Sequence, residues 1–266
     1  MKVQVLSGMC PIHDETVAMA LNCGVSTDPI AEWVIVPFVD PRNKNLWKAA
    51  ESGRRLVAYW IGNDSRWIKE GKVSLFDLPK FEKHLVNHER LKANLPCPTE
   101  VLPFVVRQAA RDPIKTDRPF VAVYMPTISG NYRFEMVCEI AETLPDLEFA
   151  FYGSTDLLHI PVNCTNMGRL TPDGVTMLIA GASALLRMTD HDGFPGNVIE
   201  AKMCGKNAIT SYPYEGCLHA ANETEAIELL KDPRTHEPDL TDWPAWYQNN
   251  CSPEAFKRNF MKMIGE

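Results

Sequence analysis

The sequence predicts an α/β fold made of two Rossmann-like halves, and three observations carry that prediction. Short apolar runs of strand length alternate with segments of helical period. The runs are continuous rather than alternating, as in parallel strands covered on both faces. One charged, proline-bearing stretch, residues 107–118, interrupts the alternation before it restarts. A chain of 266 residues can bury one large core or two small ones, and the interruption selects two.

In the first half, Lys2–Leu6 reads as a strand ending at Ser7-Gly8, and Asp14 as the cap of a helix through Asn22, stopped by Gly24. Trp33–Phe38 and Leu56–Ile61 are strands, with helices over Lys44–Ser52 and Asp64–Glu70. His84–Asn87, His88–Leu95 and Glu100–Phe104 give a strand, a helix and a strand. In the second half, Phe120–Met125 is a strand, and Phe134, Val137, Ile140, Ala141 and Leu144 mark one face of a helix. Leu147–Phe151, Ala184–Met188 and Asn207–Ser211 are further strands, with helices over Gly174–Ala180 and Asn197–Cys204. Asn222 and Glu225 form a capping box for a helix through Leu230. The tail is rich in proline and tryptophan and ends in a helix capped by Ser252, with Phe256, Phe260, Met263 and Ile264 on one face. The domains expected are therefore 1–106, a linker 107–118, 119–250, and a C-terminal helix 251–266.

Composition excludes several classes. The formal charge of −7 argues against broad nucleic-acid binding. No run reaches the roughly 18 apolar residues of a membrane span, and the apolar run after Met1 is short for a signal peptide, so a cytoplasmic address is expected. The eight cysteines are scattered without a C-x-x-C pair, as reduced buried thiols would be, and their spacing argues against a zinc site.

The chemistry concentrates in residues 189–205. A strand delivers the chain to Asp192, a turn of Gly193, Phe194, Pro195 and Gly196 reverses it, and a helix begins near Asn197. Open α/β sheets bind ligands at the carboxyl ends of their strands. A helix start with free N–H groups, here including those of Asn197 and Val198, suits a phosphate. Glycines allow close backbone approach. Glu200, about one turn in, can reach vicinal hydroxyls such as those of a ribose, and Asp192 can accept from the hydroxyls of a second sugar. Taken alone, the two carboxylates describe only a solvated turn and a helix surface.

With the residues between and behind them, these carboxylates resemble the E-x7-E region of retaining nucleotide-sugar glycosyltransferases of GT-B fold, the broad group of glycogen synthase and sucrose synthase. The resemblance covers about residues 117–231. It implies two Rossmann-like domains facing a central cleft; the apolar face of the C-terminal helix suits docking back onto a domain, and the two-lobe layout predicts closure about the linker. The resemblance assigns Asp192 to the donor sugar, Glu200 to the nucleotide ribose and Thr189 to the position where the family has Ser. Asp192 is one methylene shorter than the family's usual Glu, and the first domain is short for the family. Basic residues after the first strand of the second domain face the diphosphate in the family, which makes Arg133 a candidate; an arginine at a helix start is otherwise disfavoured. Gly8, beside Met9, either approaches the diphosphate or makes an ordinary turn. The implied activity is transfer of a hexosyl or pentosyl group with retention of configuration. The nucleotide sugar is the substrate, so neither cofactor nor metal is implied. The acceptor is open among glycans, small molecules, proteins and modified DNA bases, and so is the oligomeric state. A nucleotide-sugar epimerase or hydrolase, or a non-catalytic nucleotide-sugar or nucleic-acid binding subunit, stands as the alternative.

Overall fold

The computed structural model describes residues 3–7, 11–27, 29–106, 114, 118–128, 130–157, 159–239 and 243–265. The chain divides into two compact units. The first comprises Met1–Arg107, Gly193–Pro195 and Asn249–Glu266; the second comprises Gln108–Asp192 and Gly196–Gln248.

In the first unit the strands are β1 (Val3–Leu6), β2 (Val25–Ser26), β3 (Trp33–Pro37), β4 (Arg55–Trp60), β5 (Lys83–Val86) and β6 (Glu100–Val101). They form one parallel sheet in the order β2-β1-β3-β4-β5-β6. The unbroken apolar runs of β3 and β4 are buried nearly end to end, which is why they do not alternate. Leu6, Val34, Val36, Leu56, Trp60 and Val86 share one core.

Helix α1 (Pro11–Leu21) begins three residues before the expected cap, because proline is pre-organised for the first helical turn; Asp14 is a buried residue inside it. Helices α2 (Lys44–Glu51) and α3 (Asn63–Lys69) lie where the periodicity puts them, whereas residues 89–94 form a 3-10 helix rather than an α-helix.

Asp64 is the polar anchor of this unit. Its Oδ1 accepts from Gly62 N and Ser65 N at 2.9 Å and from Ile61 N at 3.2 Å, and its Oδ2 accepts from Val39 N at 3.1 Å. Burial raises its carboxyl to about 6 against the pull of those amides. Asn can keep the Oδ1 contacts but turns an N–H₂ toward Val39 N–H. Asp64→Asn is therefore expected to cost about 1–2 kcal/mol in a urea melt at pH 5 through the orphaned donor, and less as pH rises through about 6, where the wild type loses the stability of its raised carboxyl and Asn does not; a midpoint difference that does not change with pH counts against this account.

In the second unit the strands are β7 (Phe120–Tyr124), β8 (Glu148–Tyr152), β9 (Cys164–Asn166), β10 (Ala184–Arg187), β11 (Asn207–Thr210) and β12 (Leu218–His219). They also pair in parallel, in the order β12-β11-β10-β7-β8-β9. From β7 the chain winds outward through β8 and β9, then returns to place β10 on the other side of β7. The β7/β10 boundary is thus the topological switch point of the sheet, where open α/β sheets hold ligands at their carboxyl edge.

Helices α4 (Phe134–Thr143), α5 (Pro172–Gly181), α6 (Gly196–Met203) and α7 (Glu223–Lys231) connect the strands. Thr171 caps α5 through Gly174 N, with Pro172 in the first turn, so this helix starts before the expected Gly174. Asn222 caps α7 by accepting from Glu225 N at 3.0 Å, and Glu225 answers by accepting from Ala221 N. Val121, Val123, Phe149, Phe151, Leu186 and Ile209 are among the buried side chains of its core.

Helix α8 (Trp243–Cys251), where the sequence shows only a Pro- and Trp-rich tail, carries the chain from the second unit's residues to the first's. Helix α9 (Pro253–Ile264) is capped by Ser252 and closed by Gly265 at φ +85°. It buries Ala255, Phe256, Phe260 and Ile264, and Phe256 packs edge-on to Tyr59 at 5.7 Å.

Candidate functional site

The carboxyl edge of the second sheet, at its switch point, is built from three strand ends. Tyr124 ends β7, Tyr152 ends β8 and Arg187 ends β10. Tyr124 and Tyr152 are register partners, and their rings lie 5.3 Å apart. The Arg187 guanidinium lies over the Tyr124 ring at 5.3 Å and the Tyr132 ring at 5.4 Å. Its Nε and Nη2 donate to Asp192 Oδ2 at 2.8 and 2.6 Å.

The segment between Arg187 and Asp192 is tied down residue by residue. Thr189 N donates to Ser211 Oγ at 2.9 Å, and Ser211 Oγ donates back to Thr189 O at 2.8 Å. The Asn131 side-chain amide pairs with the His191 backbone, accepting from its N at 2.6 Å and donating to its O at 2.5 Å. The Tyr212 hydroxyl donates to Asp190 O. Backbone and side-chain groups thus carry Asp192 to a fixed place.

Helix α6 follows. Its first N–H groups, those of Asn197 and Val198 among them, lack acceptors within the helix. Five of its eight residues, Val198, Ile199, Ala201, Lys202 and Met203, are buried. Gly205 closes it at φ +65°, with Lys206 N returning to Ala201 O. Asn197 Nδ2 donates to the Tyr152 hydroxyl at 3.3 Å, while its buried Oδ1 has no partner among the described residues. Glu200 is partly buried, and its carboxyl makes no hydrogen bond or ion pair among the described residues. Burial raises its carboxyl to about 7. Burial first, and then the charge of Glu200, holds the neighbouring Tyr152 hydroxyl protonated.

The residues singled out in the sequence fall in three places. Thr189, Asp192, Gly196, Asn197, Val198 and Glu200 belong to the second unit, as does Arg133. Arg133 precedes α4 in a left-handed conformation, φ +45°, and donates through Nε to Asp190 Oδ1 at 2.7 Å. Gly193, Phe194 and Pro195 are buried and pack with the first unit. A Cβ on Gly193 would lie 2.4 Å from Asn87 Oδ1 and 2.5 Å from Ile61 O, so only glycine fits there. The Phe194 ring stands 5.6 Å from His88. Gly8 and Met9 lie outside the described residues.

Sequence reasoning missed Arg187 and the tyrosines. The available signal was an arginine closing the apolar run Ala184-Leu185-Leu186, a position where burial demands a partner. Among the described residues no three His, Cys, Asp or Glu side chains gather as a metal site, and no helix is long and apolar enough to cross a membrane.

No protein-family model matches the chain, and no curated protein does. Solved structures do. HepE from Anabaena, in complex with UDP-glucose, superposes with a TM-score of 0.70 at 11% identity over 99% of each chain. The lipopolysaccharide outer core galactosyltransferase WaaB, in its apo form, gives 0.65 at 12% identity, again over 99% of each chain. Sucrose-phosphate synthase from Thermosynechococcus elongatus gives 0.64 at 12% identity, over 88% of this chain and 73% of that one. The two six-stranded parallel sheets with interleaved helices are the fold of GT-B glycosyltransferases.

Proposed function

We propose that this chain is a glycosyltransferase that moves a hexosyl or pentosyl group from a nucleotide sugar to an acceptor hydroxyl with retention of anomeric configuration. One observation carries the reading: at the switch point of a GT-B sheet, Glu200 is a partly buried carboxylate without a partner among the described residues, one turn past a helix start. Burying such a group costs stability unless a ligand supplies donors. Two vicinal ribose hydroxyls supply them.

In this reading the N-terminal amides of α6, from Gly196, Asn197 and Val198, face the diphosphate. Asp192 accepts from hydroxyls of the transferred sugar. Gly193, Phe194 and Pro195 make the turn that separates these two tasks, and Thr189 is the residue through which Ser211 fixes the strand end. Arg133 adds positive charge on the diphosphate side. The bond from the anomeric carbon to the phosphate oxygen breaks while the acceptor oxygen bonds to the same face of that carbon. The acceptor's proton passes to the departing phosphate oxygen, whose growing charge the helix amides stabilise. HepE in complex with UDP and glucose and with UDP-glucose supports a nucleotide-sugar donor of this kind.

Calorimetry with UDP, ADP and GDP, followed by turnover of their glucose conjugates over an acceptor panel, tests the reading. Nucleotide release that requires an acceptor, with the product's configuration unchanged by NMR, is the expected result. Release without acceptor indicates a hydrolase, interconversion of the sugar an epimerase, and binding without turnover a binding subunit. Absence of binding to all three diphosphates sinks the proposal.

A further inference from the structure

We infer that Arg187 is a positioning residue that holds Asp192 by one oxygen, so that the other is presented to the hydroxyls of the transferred sugar; the inference rests on the donor-binding reading above. An arginine that only neutralises a carboxylate commonly takes both of its oxygens in a fork. Here Nε and Nη2 converge on Oδ2, at 2.8 and 2.6 Å, and Oδ1 has no hydrogen bond among the described residues. The Asp192 side chain is 16% exposed and that of Arg187 only 7%. A charge so deep at a strand end costs more than the leucines that precede it, so its presence there points to a task beyond packing.

The guanidinium is itself fixed. Tyr124 and Tyr132 flank it, their rings edge-on to each other at 5.9 Å. Tyr124 in turn occupies space that exists because residue 153 is glycine: a Cβ there would lie 2.8 Å from Tyr124 Cε2, at a backbone φ of +112°. A line of contacts therefore runs from Gly153 through Tyr124 and Arg187 to Asp192. A branch leads from Tyr124 through Tyr152 to Asn197 at the start of α6, but the guanidinium itself hydrogen-bonds the sugar-facing acid and not Glu200, which grips the nucleotide. Arg187 thus bears on turnover of the sugar and not on recognition of the nucleotide.

The experiment compares Arg187→Gln, Asp192→Asn and the double variant, with UDP, ADP and GDP as binding probes and their glucose conjugates as substrates. Arg187→Gln is expected to lower kcat about 100-fold, as Asp192→Asn does, while diphosphate Kd stays within about twofold of wild type. If Arg187 acts through Asp192, the double variant is no slower than Asp192→Asn. Arg187→Lys, which keeps the charge but loses the paired N–H geometry, is expected to remain at least roughly 10-fold slow. Wild-type kcat in Arg187→Gln, multiplying effects in the double variant, or a parallel fall in diphosphate affinity overturns the inference. So does failure of all three Arg187 variants to fold, which would make the residue scaffold alone. A wild-type protein that binds no diphosphate removes the donor reading and this inference together, which separates that failure from the others.

Discussion

Glu200→Gln is expected to weaken nucleoside diphosphate binding by about 100-fold and, at pH 8, to make the protein more stable. The two effects share one cause. The carboxyl is partly buried with no hydrogen-bond or ion-pair partner among the described residues, and burial raises it from 4.5 to about 7. The folded chain therefore holds this proton to higher pH than the unfolded chain does. Stability from that proton is complete below the ordinary carboxylate range and is lost as pH rises through about 7. At about 1.4 kcal/mol for each tenfold difference in proton affinity, the loss by pH 8 approaches about 3 kcal/mol, and glutamine does not suffer it.

Binding runs the other way. A carboxylate accepting two ribose hydroxyls makes charge-assisted bonds of about 1.5–3 kcal/mol each, and glutamine offers one neutral acceptor. Wild-type affinity should rise as pH passes through about 7, while that of Glu200→Gln stays flat. Calorimetry with UDP, ADP and GDP between pH 5 and 9, and thermal melts over the same range, check both. A variant with unchanged affinity and unchanged Tm at pH 8 refutes the role given to Glu200.

The same residue shows where sequence reading reaches. Glu200 was legible because its cues are local: a glycine-bearing turn, a helix start and an acid one turn later all lie within ten residues. The strands were legible where they are long and buried on both faces, as β3, β4 and β7 are. Strands β2, β9 and β12 have two or three residues each and present no apolar run to read. Helix α8 escaped because its residues show no clear apolar stripe and proline stands at its second position.

The surroundings of Arg187 were illegible for a different reason. Its neighbours Tyr124 and Tyr132 precede it by more than fifty residues and reach it only through the pairing of β10 with β7. The turn at Gly193–Pro195 has the same character: its packing against Ile61 and Asn87 depends on which unit gathers it, and residue spacing does not encode that. Local chemistry is written in the sequence, whereas the partners that aim it are set by topology.

Asp239→Ala should destabilise the protein more than Lys202→Met, although each breaks the same ion pair. Lys202 sits on α6 with its side chain wholly inaccessible, and its Nζ donates to Asp239 Oδ2; the Asp239 side chain is 11% exposed. Removing the acid leaves an ammonium sealed in the second unit without the carboxylate it donates to, and breaking a buried pair in that way costs about 3–5 kcal/mol. Removing the lysine instead substitutes an apolar chain of similar length at a buried position, and the acid left behind, 11% exposed, has a path to water. The cost then falls to about 1–2 kcal/mol. Because Lys202 shares α6 with Glu200, the lost anchor also loosens the helix that carries the nucleotide-binding acid. Asp239→Ala should therefore lower the urea midpoint and weaken diphosphate binding together. Equal midpoints for the two variants would show that the pair is solvated in the folded protein, and would remove the argument that this ion pair fixes α6.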